Sequence, residues 1–231
     1  MVTSTAPRQL ALALAHSESF AREDFLAGAS NQSALALIEQ WPDWPARSVA
    51  LVGPTGSGKS HLAAIWAEAT GARVIAGRAL DEAALPTALA TGALVVEDLA
   101  SGGIDERALF HLLNLARAPD VSLLLTGRTA PATWTIALPD LASRLRALPV
   151  VALAPPDDAL LRAVLVKLFA DRQLAVDEGL IGFVATRIER SFAAARAVVD
   201  ELDREALRQH RPVTRTLAAE LLRQSSPGTE T

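Results

Sequence analysis

An octapeptide, GPTGSGKS at positions 53–60, constrains this chain more than any other feature, because it stands between an apolar run, RSVALVG, and a stretch of helical periodicity. Strand, glycine-rich turn, helix is the context in which this spacing of two glycines, a lysine and a serine makes a phosphate-binding loop. Gly53, Gly56 and Gly58, with Pro54, Thr55 and Ser57 between them, let successive backbone N–H groups turn inward around phosphate oxygens. Lys59 supplies charge at the outer phosphates, and the Ser60 hydroxyl is a candidate magnesium ligand. The helix that follows, with His61 in its first turn as part of the same candidate nucleotide site, adds the favourable end of its dipole. The competing explanation, a glycine-rich turn that holds no nucleotide, does not account for the flanking strand and helix.

From Arg47 onward the hydrophobic pattern is rhythmic. RSVALVG, ARVIAG, ALVVED, VSLLLTG and PVVALA are short apolar runs bounded by turn residues, as buried strands are, and helical stretches such as DERALFHLLNLAR lie between them. This alternation predicts an α/β fold: a parallel five-stranded P-loop sheet covered by helices. After Pro155 and Pro156 no strand pattern returns, and four segments at 157–173, 177–190, 191–210 and 213–224 read as helices of a small C-terminal lid. The expected organisation is a leading peptide over 1–19, a core over 20–154, the lid over 155–224 and a disordered tail over 225–231. Within the leading peptide, Gln9 precedes Leu10, Leu12 and Leu14, which alternate with alanines at a spacing that suits an extended segment.

A length of 231 residues suits one large domain or a core with a small appendage, and a chain 50% apolar and 21% charged can build a core and stay in solution. The net charge of −4 argues against holding nucleic acid by neutralising its phosphates, so no direct sequence-specific DNA binding is expected. With no cysteine, disulfides, zinc-thiolate sites and thiol nucleophiles are excluded. The first residues lack a signal-like pattern and no apolar run approaches the roughly 18 residues of a membrane span, which sets a cytoplasmic protein with no membrane contact as the expectation.

Glu97 and Asp98 end the apolar run ALVVED, where one carboxylate is placed to hold magnesium through water and its neighbour to orient a hydrolytic water. A pair that only caps a strand end in solvent is the alternative, weakened by the phosphate loop about forty residues earlier. The usual order at such a site is Asp followed by Asp or Glu. Glu97 in the metal position is therefore a departure, and its longer side chain puts metal geometry and turnover in question. Thr126, at the end of VSLLLTG, reads by itself as a satisfied strand-end threonine, and sensing of the outer phosphate is the equally good reading that the family resemblance given below implies.

These blocks together resemble the AAA+ module of the bacterial replication initiator DnaA, and more closely its shorter paralogues of the Hda type, regulatory inactivators of DnaA. FAREDFLAGASNQSALALIEQW is similar to the segment that encloses the nucleotide base; GPTGSGKSHLA, ALVVEDLA and LLLTGR are similar to Walker A, Walker B and sensor 1. LASRLRAL resembles the arginine-finger segment with Arg144 at the matching position, and RIERSFAAARAVVDELD resembles the sensor 2 helix. The sensor 2 position falls on Ala193, one turn before Arg196, so whether Arg196 substitutes for the missing arginine stays open. QLALAL, positions 9–14, resembles the peptide that attaches this family to the replication sliding clamp, with Ala13 where a proline is common.

The resemblance implies an adenine-nucleotide-binding regulator of replication initiation, holding ATP or ADP with Mg2+, that promotes hydrolysis of DnaA-bound ATP while tethered to the clamp. Its partners would be the DnaA-type initiator and the sliding clamp, with self-association open. The DNA-binding domain that follows the lid in DnaA has no counterpart in these residues. On this reading the chain is at most a weak ATPase. The alternatives are a P-loop phosphotransferase for small molecules, which uses the same loop, and a nucleotide-stabilised adaptor with no catalytic contribution.

Overall fold

The structure, a computed structural model, describes residues 20–100 and 103–225. Five strands, β1 (Ser48–Val52), β2 (Arg73–Ala76), β3 (Ala93–Leu99), β4 (Ser122–Gly127) and β5 (Val150–Ala152), form one parallel sheet in the order β2-β3-β4-β1-β5. Successive side chains point to opposite faces and both faces are covered, which explains why the three central strands are largely apolar. Leu94 and Val96 of β3, Ala50 of β1, and Leu123 and Leu125 of β4 enter one core cluster. Ala93 and Val95, Val49 and Leu51, and Leu124 enter a second. The edge strands lack this two-sided cover, and Val74 of β2 and Val150 of β5 are exposed.

Helices α1 (Gln32–Glu39) and α2 (Lys59–Thr70) cover the second cluster through Leu35, Ile38, Leu62 and Trp66. The first lies beneath α3 (Leu85–Ala88), α4 (Glu106–Leu115) and α5 (Pro139–Ala147), which contribute Leu85, Leu109, Leu112, Leu141 and Leu145. Sequence periodicity assigned no element to the α1 stretch. Asn31, in the cap position just before it, is turned into the preceding loop, accepting from Gly28 N–H at 2.8 Å and donating to Leu26 O at 3.0 Å, rather than capping the helix.

Four helices follow β5: α6 (Asp158–Asp171), α7 (Glu178–Ala185), α8 (Phe192–Gln209) and α9 (Arg215–Ser225). They share a third core cluster around Leu161, Leu165, Phe169, Val184, Val199 and Leu202. Side chains of Asp157, Asp177 and Ser191 accept from Leu160, Leu180 and Ala194 N–H and fix where α6, α7 and α8 begin. α7 ends at Ala185, five residues short of the stretch with helical pattern, and α9 runs to Ser225, one residue into the stretch expected to be tail. The leading peptide and the rest of that tail lie outside the described residues, in which no helix is long and apolar enough to cross a membrane.

Candidate nucleotide site

β1 lies between β4 and β5, and its C-terminal end opens into the crevice where parallel α/β sheets bind ligands. The loop 53–60 occupies that end. A Cβ at Gly53 would stand 2.5 Å from the Leu153 carbonyl oxygen, so the loop leaves β1 along a path only glycine permits. Gly56 and Gly58 hold φ of +74° and +97°, the left-handed region in which L side chains are strained. Lys59 is buried and folds back over the loop, donating from Nζ to Gly53 O and Pro54 O at 2.8 Å each. Burial lowers its pKa below the usual lysine range; Asp98 opposes that shift, Arg128 adds to it, and Glu97 opposes it more weakly. Ser57 Oγ is buried with no hydrogen-bond partner.

Around the loop lies an open cavity of about 800 Å³. One wall is the segment from Phe20 to Leu26. His61 anchors it, with Nε2 placed 3.0 Å from Ala21 O and its ring edge-on to Phe20 and Phe25 at 5.4 and 5.2 Å. Across the cavity stand α6 and the start of α8, and Lys167 of α6 bridges the two walls, reaching Asp24 at 2.7 Å and Asp171 at 2.9 Å. Hydrogen bonds to Asp24 first, then Asp171, raise the Lys167 pKa. α8 is seated on the phosphate loop itself: Phe192 N–H donates to Gly56 O at 2.8 Å.

The acidic pair sits on an irregularity. The pairing register of β3 and β4 shifts between Val96 and Leu99, and Asp98 takes φ +54° within that bulge. Thr126, buried in β4, holds the bulge by accepting from Asp98 N–H at 3.1 Å. Of the two carboxylates, Asp98 lines the cavity and Glu97 does not; Glu97 Oε1 is instead buried without a hydrogen-bond partner.

Thr55, Gly56, Gly58, Lys59, Ser60 and His61 line the cavity, and Ala193 and Arg196 face it from α8. Arg144 does not line it. It is half-buried on α5 with its guanidinium carbon 4.8 Å from the Phe110 ring centre, while Arg146 is exposed. Sequence reasoning missed Arg128, Lys167 and its partner Asp24, all of which line the cavity. Arg128 stood in the quoted block LLLTGR, but nothing in its spacing separates it from an ordinary surface charge.

Two oxygen donors of the right kind for a magnesium ion line the cavity, the Ser60 hydroxyl and the Asp98 carboxylate, and no group of three or more His, Asp or Glu able to hold a metal occurs among the described residues. A metal in this place would need phosphate and water oxygens to complete its shell. Two polar atoms orphaned by burial, Ser57 Oγ and Glu97 Oε1, belong to residues that do not line the cavity.

No family model matches the chain, and no curated protein does. Solved structures do. Domain III of the Thermotoga maritima replication initiation protein DnaA superposes with a TM-score of 0.73 at 19% identity, over 89% of this chain and 96% of that one. DnaA from Aquifex aeolicus bound to AMPPCP gives 0.65 at 18% identity, over 80% and 65%. The Thermotoga maritima RuvB Holliday junction branch migration motor gives 0.69 at 15% identity, over 89% and 72%. The five-stranded parallel sheet with its flanking helices is thus the AAA+ fold, shared with DnaA and RuvB.

Proposed function

We propose that this chain is an adenine-nucleotide-binding AAA+ regulator of chromosome replication initiation of the Hda type, built of a core over 20–154 and a helical lid over 155–224. The observation that carries the reading is the phosphate loop enclosed on three sides, by the Phe20–Leu26 segment, by the ends of β3 and β4, and by α6 and α8. The site suits ATP or ADP: apolar Phe20, Phe25, Val164 and Leu168 offer a slot for a base, and the loop amides with Lys59 offer one for phosphates. The likeness to a DnaA that holds AMPPCP supports adenine as that base.

Mg2+ would be held by Ser60 with Asp98, the carboxylate that lines the cavity, rather than Glu97, and would neutralise phosphate charge when bound. The protein's own share is to orient. Thr126 fixes the Asp98 backbone, Lys59 presents its ammonium, and α8 seats the lid on Gly56. Glu97 where the usual pattern has an aspartate, with alanine at 193 where a lid arginine is expected, makes the isolated chain a slow ATPase or none. Arg144, which lies outside the chain's own cavity, would act on ATP held by a DnaA-type initiator, and Gln9, Leu10, Leu12 and Leu14 would tether the complex to the sliding clamp. The decisive experiment measures hydrolysis of DnaA-bound ATP with this protein, loaded clamp and DNA, omitting each in turn. Stimulation that needs all components supports the regulator. Phosphate transfer to a small-molecule acceptor, or no stimulation in the complete mixture, overturns it.

A further inference from the structure

Five cations line the cavity: Lys59, Arg128, Lys167, Arg172 and Arg196. Lys167 is engaged by Asp24 and Asp171, Arg172 by Asp200, and Lys59 by two loop carbonyls, while Arg196 also has a partner. Among the described residues Arg128 has neither a hydrogen bond nor an ion pair, although Asp98 lines the same cavity. Its origin, by contrast, is tightly fixed. Gly127 pairs with Val52 of β1 and Leu99 of β3, its carbonyl accepts from Gly53 N–H at 3.2 Å, and a Cβ there would stand 2.9 Å from Leu99 O. Arg128 therefore leaves the sheet from a point locked between the start of the phosphate loop and the end of the acidic strand.

Arg128 and Lys59 line the same cavity at the end of the phosphate loop, two like charges facing one space. Two neighbouring cations, one of them unpaired, at the mouth of a loop built to cradle phosphate make a site that a polyanion completes. The loop amides take the inner phosphates and Lys59 the outer ones. An arginine emerging from the ends of β3 and β4 adds its planar, multiply donating head beyond them. We propose that Arg128 is the residue by which this site distinguishes a nucleoside triphosphate from a diphosphate, acting within its own chain at the terminal phosphate. The proposal rests on the nucleotide reading above and goes beyond it, since a residue in this role substitutes for charge that Ala193 on the lid does not supply.

The test is calorimetric titration of the full chain with Mg2+ and either ADP or the non-hydrolysable β,γ-methylene analogue of ATP, comparing wild type with Arg128→Ala, Arg128→Gln and Arg128→Lys. Arg128→Ala should weaken the triphosphate about tenfold, equivalent to about 1.4 kcal/mol, and leave ADP within about twofold. Lys should recover part of the loss and Gln little, because charge is the main requirement and the fork a further one. If Arg128→Ala proves unfolded by its thermal transition, Arg128→Gln carries the comparison. An unchanged ratio of the two affinities, or a parallel loss of both, overturns the role of Arg128 while leaving the nucleotide site standing. Wild-type protein that binds neither ligand overturns the nucleotide reading itself.

Discussion

Replacing Gly56 by alanine measures how firmly the helical layer is seated on the phosphate loop, and Gly71→Ala supplies the reference. Both glycines are left-handed, with φ of +74° and +69°. They differ in surroundings: a Cβ at 71 meets nothing within 4 Å, whereas a Cβ at 56 would stand 2.9 Å from Ser191 Cβ, 3.0 Å from Ala193 Cβ and 3.2 Å from Ala193 N. The left-handed conformation costs an L residue about 1–2 kcal/mol. Stiffening of the unfolded chain offsets about 0.4–1 kcal/mol of that, leaving roughly 1 kcal/mol for Gly71→Ala. At Gly56 the inserted methyl also overpacks the start of α8, a further ~1–3 kcal/mol, and strains the Phe192 N–H to Gly56 O bond, so the total is about 3 kcal/mol. At about 2–4 °C per kcal/mol for a chain of this size, the melting temperature should fall by about 2–4 °C for Gly71→Ala and 6–12 °C for Gly56→Ala. Circular dichroism during heating, cross-checked by urea unfolding without nucleotide, reads both. Equal losses in the two variants would show that α8 does not rest on the loop, and the seat described above would be wrong.

Lys59→Met should abolish nucleotide-dependent thermal stabilisation. Because the folded chain depresses the Lys59 pKa, protonated Lys59 destabilises it in full below that depressed pKa. Wild type should therefore gain stability relative to the variant as pH rises from there through the ordinary lysine range, and unfolding midpoints between pH 7 and 10.5 read this. Thr126→Val keeps shape but leaves Asp98 N–H without its acceptor, a loss of about 1–3 kcal/mol, measurable by urea unfolding; a smaller effect would mean that the bulge holds without the hydroxyl. Arg144→Ala should retain fold and nucleotide binding yet lose most stimulation of DnaA-bound ATP hydrolysis, as removal of an arginine finger can cost about 10³-fold or more. Arg146→Ala, about 200° around the helix, should be close to neutral. Changing Gln9, Leu10 and Leu12 to alanine should abolish clamp binding in a surface-binding assay and leave nucleotide titrations unchanged.

The existence and type of most elements were legible because their causes are local. Burial on both faces of the sheet makes SVALV and SLLLTG largely apolar, and the acid or hydroxyl caps at Asp157, Asp177 and Ser191 announce helix starts within a few residues. The α/β class and the helical C-terminal layer follow from such patterns. α1 was not legible, since Asn31 in its cap position spends its side chain on the loop before it and does not cap the helix.

Within the candidate site the division falls the same way. The loop 53–60 is contiguous, and each residue's chemistry follows from its place in a short pattern, so the sequence alone determined what kind of ligand site to look for. Only the tertiary structure decided which carboxylate faces the cavity. The bulge at Asp98 depends on a hydroxyl 28 residues away, and the simple period of a strand cannot register it. The same holds for Lys167 meeting Asp24, for Gly56 lying under α8, and for Arg128, an undistinguished surface charge until pairing of Gly127 with β1 and β3 brings it to the cavity that Lys59 lines. Each of these contacts joins segments far apart in the chain, and propensity and periodicity, which act over a few residues, carry no record of the loop closures that bring them together.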